Sequence, residues 1–551
     1  MYVTLYIGIA CLLWAVFALL RVGRRGRGLP PGPPTVPVLG NLHIFPTQKP
    51  FLQFTAWART YGGIYSLKMA DRTAIVVSSM TVVKDLMDAN SIETGDRPSV
   101  YILDYVTKGL HVGLAPLGSY VWKTARQAIK PLINPKTLNT YQPVAYAESS
   151  QLMYDILHHP EDFYSQMQRT TFSFATSIVF GCRCPGYTSP ELAHFIEVVR
   201  LWMSLTSTEI PPLDFLPFLK YVPERWAYWK TLAQKTRKLQ HDIYSGMLAS
   251  AEDRLTNNRG NGSFIESILI QKGLEMDRDF IAHLGGILLE GGSDTTSTFL
   301  QSFTLAIIAF PDAQKKAQEE IDRVIGHDRS PTFEDITQMP YLQAVIKEVH
   351  RFRPVAPLAV PHMTSMPLEY DGYIIPKGST IFLNIWGILH DPEVFERPED
   401  FWPDRYIITE FGIKPEVNSR DWRNSLPFGS GKRLCPGMTL ANTSLSLHVA
   451  NLLWAFNFQA PFDAKTGRKT KVDLEAYFSG LSYTPKPFKV VITPRHHGRE
   501  DIINNQFYAC GDIYKRFEEH IASEEAEELD KLRSGRSGAV IQAPKTDCVE
   551  D

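Results

Sequence analysis

The sequence predicts a mainly α chain with small β-sheets, preceded by a single transmembrane helix. Three observations carry this reading. Residues 2–20 form an uncharged apolar run of about the length that crosses a bilayer's hydrocarbon core. Later stretches, at 117–134, 141–158, 190–207, 223–256, 277–310, 312–325 and 341–352, space apolar residues three and four apart, the period of a helix with one buried face. Alternating segments are short: 64–69 and 73–77 read as a hairpin, and 374–383 places a Pro-Lys-Gly turn between two apolar stretches.

Taken in order, the apolar run is followed by Arg21, Arg24, Arg25 and Arg27. Basic residues stay on the cytosolic side, so the following body faces the cytosol and the N-terminus the lumen. A cleaved signal would carry its charges before the apolar run, so this segment reads as an uncleaved anchor. The motif LPPGPP at 29–34 stops any helix, because proline fixes the backbone and lacks an amide donor. It is a stiff elbow that sets the body against the membrane surface and favours substrates that partition into lipid.

No Gly/Ser-rich or charged linker divides the chain from about 50 to 494, so one large domain is expected. The division is therefore an anchor at 1–28, a body at 29–494 and a tail at 495–551. Within the tail, KRFEEHIASEEAEELDKL reads as a solvated acidic helix before a disordered end. With 57 Lys and Arg against 59 Asp and Glu, the formal net charge is -2. That gives no basic field of the kind nucleic-acid binders carry, and nucleic acid is excluded as a partner. The six cysteines form no regular disulfide framework, which fits a reducing compartment. Cys182 and Cys184 lack a second pair of ligands for a tetrahedral metal and read as inert thiols.

Cys435 is different. Residues 428–437 read FGSGKRLCPG and run directly into the apolar helix MTLANTSLSLHVANLLWAF. A thiolate at a helix N-terminus is stabilised by free amides and the helix dipole, which lowers its pKa and keeps it available as a metal ligand. The glycines let the loop lie flat against a planar group, and Arg433 can reach an anion. The pattern F-x-x-G-x-R-x-C-x-G, carried by Phe428, Gly431, Arg433, Cys435 and Gly437, matches in full the haem-binding signature of the cytochrome P-450 superfamily, which the chain resembles.

Further segments extend the resemblance from about residue 29 to 494, in the family's order. GGSDTT at 291–296 interrupts a long predicted helix and is similar to the family's oxygen-activation motif, in which Asp294 and Thr295 relay protons. Glu348 and Arg351 match E-x-x-R, and Arg405 lies in PDRY at 403–406, a conservative departure from P-E-R-F; these charges are implied to be scaffold for the cysteine loop. Trp122 and Arg126 reproduce W-x-x-x-R, one helical turn apart, facing a haem propionate. His362 matches a position that contacts the other propionate; otherwise it is a surface strand residue.

The resemblance implies the cytochrome P-450 fold, a thiolate-ligated haem b and a monooxygenase reaction. Electrons come from NADPH through a separate NADPH–haemoprotein reductase, with cytochrome b5 as a further partner, because this chain has no flavin- or nicotinamide-binding domain. Lys123, Lys130 and Lys432 either steer an acidic partner or are ordinary solvated lysines. The segments 100–106, 201–215, 288–289, 355–360 and 478–481 would line the substrate pocket. Being apolar, they favour a neutral polycycle or terpenoid over a carboxylate-anchored substrate. The overall style resembles microsomal fungal members that act on polyketides and terpenoids, anchored in the endoplasmic reticulum membrane. Two other readings stand: a reductase-independent haem isomerase or dehydratase acting on peroxides, which has no need of the Asp294 and Thr295 pair, and a non-catalytic haem sensor.

Overall fold

The apolar N-terminal run is helical throughout, as α1 (Tyr2–Arg21), in a computed structural model that describes residues 2–207, 210–271, 275–462 and 467–534. Within it, residues 4–21 are long and apolar enough to cross a membrane and bury nothing against the body. The proline elbow is latched to the body. Arg25 donates to Ser66 Oγ and to the carbonyls of Gly32 and Pro33, so it is an anchor of the elbow rather than a free flanking charge. The Ser66 amide and hydroxyl bond the carbonyls of Pro31 and Pro30, acceptors that prolines keep although they lack a donor. Gly32 is obligatory here, because a Cβ would lie 2.1 Å from the Ser66 carbonyl oxygen.

The body begins with α2 (Pro50–Tyr61) and the antiparallel hairpin β1 (Ile64–Met69) and β2 (Arg72–Val77), paired Ile64 to Val77. Then come α3 (Tyr101–Thr107), α4 (Tyr120–Ile129), α5 (Pro135–His158), α6 (Phe163–Phe180), α7 (Pro190–Thr206), α8 (Tyr228–Thr256), α9 (Phe264–Ile270), α10 (Arg278–Ala309), α11 (Pro311–Ile325) and α12 (Pro340–Phe352). Short strands follow: β3 (His362–Met363), β4 (Leu368–Tyr370), β5 (Tyr373–Ile375) and β6 (Thr380–Leu383). The two apolar stretches around the Pro-Lys-Gly turn do not pair with each other. β5 pairs with β4, whereas β6 crosses to run parallel to β2 and antiparallel to β3, giving the order β1-β2-β6-β3.

The centre is the crossing of α10 with α6. Helix α6 is buried on nearly every side, and its sequence, FYSQMQRTTFSFATSIVF, shows no single apolar stripe because no face meets solvent. Two of its polar side chains share one buried partner: Arg169 bonds Glu148 at 2.6 Å and Ser173 donates to the same carboxylate at 2.7 Å.

After α13 (Met438–Ala455), β7 (Phe456–Gln459) and β8 (Val491–Pro494) close the body, and the chain continues as α14 (His497–Ala509), α15 (Gly511–Lys515) and α16 (Ser523–Arg533). This segment is not a solvated tail. Ile503, Phe507, Tyr514 and Phe517 are buried, with Phe507 stacked on Tyr154 of α5. Glu518 is buried between Arg183 of the body and Arg533 of α16. Arg499 is buried against Asp322 of α11. The acidic composition misleads because Glu518 meets two buried arginines; the acidic helix α16 is itself mostly exposed, as expected of a solvated helix. Residues 535–551, with Cys548, lie outside the described residues.

Candidate active site around Cys435

The cysteine loop is shaped by short turns at Leu426–Phe428 and Gly431–Arg433, and the Cys435 amide donates to Phe428 O at 3.0 Å. Gly431 takes φ +59° and lies so close to Met87 O that a Cβ would sit 2.2 Å from it. Asp88 holds the loop from outside, accepting from the Ser430 hydroxyl and the Gly431 amide and pairing with Arg423. Nothing in the sequence around Asp88 signals this.

Helix α13 begins at Met438 with no side-chain cap, so its first amides are free. Those of Gly437 and Met438 are aimed at Cys435 Sγ. The expectation of a lowered thiol pKa is overturned: burial pushes the thiol up, and the two amides and Arg126 only partly offset it. The sulfur is enclosed by protein yet faces open space. A metal ion bound at that sulfur would supply the missing stabilisation, because a coordinating thiol is deprotonated outright.

Beside the loop stand three arginines without a carboxylate partner among the described residues: Arg97, Arg126 and Arg433. Arg433 donates to Gly95 O at 2.7 Å, Ala115 O at 2.6 Å and Val112 O at 3.4 Å. Arg97 donates to Gly113 O at 2.9 Å, Val360 O at 2.6 Å and Pro361 O at 2.8 Å. Each guanidinium has five N–H groups, so both keep donors for an anion. Burial, with Arg433 beside it, pushes Arg97 down to about 9, still charged at neutral pH. Trp122 lies 5.7 Å from the Arg433 guanidinium, and Arg126 is one turn along α4. His362 is not a surface residue. It is 3% exposed, its Nδ1 meets Thr94 O at 3.0 Å, and burial followed by Arg97 depresses its pKa to about 3, so it is neutral. Three arginines with spare donors, whose charge the nearby carboxylate of Asp96 only partly offsets, fit the propionate edge of a haem, and a sulfur beside helix amides fits its iron. Arg97, which had no motif, is the residue the sequence reading missed here.

On the other side is α10. It runs unbroken through 291–296, contrary to the expected interruption. The local change is subtler: the Thr295 hydroxyl donates to Gly291 O at 2.7 Å, giving that carbonyl a side-chain donor. Two glycine pairs on this helix differ in purpose. At Gly285 and Gly286 a Cβ would lie 2.4 Å from Phe180 and Tyr244, which is close packing; at Gly291 it would meet nothing within 4 Å. Gly291 and Thr295 therefore border open space. Asp294 accepts from Ser482 Oγ at 3.0 Å, and burial raises its pKa to about 6. Ser482 lies just beyond the expected pocket segment 478–481. Positions 208–209 of the segment 201–215 lie outside the described residues.

Behind the loop, Glu348 binds Arg351 at 2.8 Å and Arg405 at 3.1 Å, all three buried. Arg351 also caps the carbonyls of Leu389, Pro398 and Asp400. A cavity of about 450 Å³ adjoins this triad and Phe428, but Cys435 does not line it. Lys123, Lys130 and Lys432 are exposed and have no carboxylate partner among the described residues.

Comparison with known proteins agrees with this geometry. The family model described as cytochrome P-450 matches residues 30–492. A cytochrome P-450 monooxygenase of Armillaria gallica is 40% identical over 92% of this chain and 96% of its own length. The monooxygenase yanC of Aspergillus niger is 35% identical over 88% and 93%. A zebra fish cytochrome P-450 structure with abiraterone superposes with a TM-score of 0.65, covering 81% of this chain and 100% of that one at 24% identity, which supports the fold. Cysteine loop, acid–alcohol pair, buried triad and full-length relatives agree, and the chain belongs to the cytochrome P-450 family of haem-thiolate monooxygenases.

Proposed function

We propose that the protein is an NADPH- and O2-dependent monooxygenase that inserts one oxygen atom into a hydrophobic small molecule, a polyketide or terpenoid, in fungal secondary-metabolite biosynthesis. The observation that carries this is the acid and alcohol side by side on α10, Asp294 with a raised pKa and Thr295 beside open space at Gly291. A group that stays protonated to about pH 6 can give up a proton near neutrality.

In this reading Cys435 Sγ ligates the iron of haem b, Phe428 and Gly437 shape the loop, and Trp122, Arg126, Arg433 and His362 hold the propionates, with Arg97 beside them. The haem supplies dioxygen activation, favoured by electron density from the thiolate. The chain's own residues supply position and protons. His362 is neutral and spends its one ring N–H on Thr94 O, so it borders the propionates without adding charge and leaves its other ring nitrogen as an acceptor. Electrons reach the haem from NADPH–haemoprotein reductase or cytochrome b5, acidic partners that the exposed Lys123, Lys130 and Lys432 would attract. Residues 1–28 anchor the protein in the endoplasmic reticulum membrane with the body, from residue 29, in the cytosol; residues 495–534 are a docked part of that body.

The test is expression in a host with and without the protein, with a reductase present, followed by comparison of extracted metabolites and of the carbonyl spectrum of the reduced protein. A new oxygenated product that needs NADPH, and a thiolate-type spectrum absent from Cys435→Ala, are expected. Turnover of a lipid hydroperoxide without NADPH would instead favour the isomerase or dehydratase. A haem signature with no product under any condition would favour the sensor.

A further inference from the structure

We infer that Glu290, one turn before Asp294 on α10, is the proton source that recharges Asp294 during turnover. This rests on the monooxygenase reading above. Residues four apart on a helix are neighbours, so the two carboxyl groups share one face. Glu290 is held from the opposite helix, α8: Tyr244 donates its hydroxyl and Gln240 its amide, at 2.8 Å, both to Oε1. That leaves Oε2 without a bonded partner among the described residues and free to carry a proton. Gly286 makes the arrangement possible. A Cβ there would lie 2.4 Å from the Tyr244 ring, so only glycine lets Tyr244 lie against α10 and reach Glu290.

Burial raises Glu290 to about 7, with Asp294 adding to the rise and Tyr244 and Gln240 opposing it. Asp294 sits near 6. Tyr244, itself raised far above its ordinary value by burial, and Asp294 are the titratable groups that face Glu290 among the described residues; no cation does. Asp294 is thus the weaker base of two neighbouring carboxyls. Conversion of dioxygen and a substrate C–H to an alcohol and water consumes two electrons and two protons. Once Asp294 has released a proton, Glu290 passes its own to Asp294 through one water and is itself recharged from solvent.

The test uses the full-length protein in membranes with reductase, measuring NADPH oxidation and the hydrogen peroxide released per NADPH without added organic substrate, across pH 5.5–8.5. Wild type should release more peroxide as pH rises past about 7. Glu290→Gln keeps an acceptor for Tyr244, and its rise in peroxide should begin about one pH unit lower, at the Asp294 value. Tyr244→Phe removes a bond that lowers the Glu290 pKa, so its rise should begin at higher pH. Infrared titration should lose one protonated-carboxyl band in Glu290→Gln. Profiles of both variants that coincide with wild type, while Asp294→Asn changes the peroxide yield, would overturn the role of Glu290 alone. If Asp294→Asn also leaves the yield unchanged, the acid–alcohol reading itself fails.

Discussion

Two groups of arginines flank the cysteine loop, and they are built on opposite principles. Behind the loop, Arg351 and Arg405 share the Glu348 carboxylate and spend their remaining donors on main-chain carbonyls. In front of it, Arg97 and Arg433 hydrogen-bond main-chain carbonyls, and neither they nor Arg126 form an ion pair among the described residues, although Asp96 stands near Arg97 and Arg433. Carbonyl dipoles orient a guanidinium but do not cancel its charge. The first group is built around a shared carboxylate and holds backbone segments together. The second is open, and its missing negative charge is what a dianionic cofactor edge brings.

The comparison can be broken in several ways. The largest effect is expected for a chain ended after residue 494, which removes Glu518 from Arg183 and Arg499 from Asp322 and strips the body of four buried aromatic or aliphatic side chains. At about 2 kcal/mol for each side chain, the loss is comparable with the whole stability of a domain. No folded, haem-loaded protein should be recovered, as judged by the carbonyl spectrum and by circular dichroism. Recovery in normal yield would show that the extension is only draped over the surface.

Glu348→Gln comes next. It leaves two buried arginines without their shared charge, at a cost of about 3–5 kcal/mol. Chemical denaturation should show that loss. Arg126→Gln, taken from the open group, should behave in the reverse manner, with unchanged unfolding of the haem-free chain and haem released about tenfold or more faster to an acceptor protein. Equal destabilisation by both substitutions would erase the distinction.

The smallest effect concerns acid. Folding depresses His362 to about 3, so between that pH and its ordinary value near 6.5 the unfolded chain binds a proton the folded one refuses. Stability and haem retention therefore fall as pH drops below about 6.5, because a proton on His362 would add a charge beside Arg97. His362→Gln should flatten part of that dependence, which a pH series of thermal unfolding would reveal.

Chemistry confined to a short segment was legible from the sequence: the cysteine loop, the acid–alcohol pair, E-x-x-R and the anchor all stand on neighbouring residues. Long amphipathic helices such as α11 and α12 were legible for the same reason. Helix α6 was not, because burial on all sides erases the periodicity that marks a helix. Nor were Asp88 and Arg97, whose partners lie far away in sequence: Arg423, Ser430 and Gly431 for the one, main-chain carbonyls of distant loops for the other. The docking of α14–α16 escaped detection because an acidic, polar stretch looks solvated until the arginines that receive it are known. The pKa of Cys435 was misjudged for a related reason, since spacing reveals the helix amides but not the depth of burial.

Glu518 and Arg533 also set the order in which the molecule matures. They are among the last described residues that the ribosome makes, whereas α1 is the first to leave it. While the final segment is still being synthesised, a side of α5 is bare and Arg183 is short of one counter-ion. Synthesis of residues 495–534 is then the event that lets the body close. A fusion partner placed after the described end is compatible with that sequence of events, and a premature stop is not.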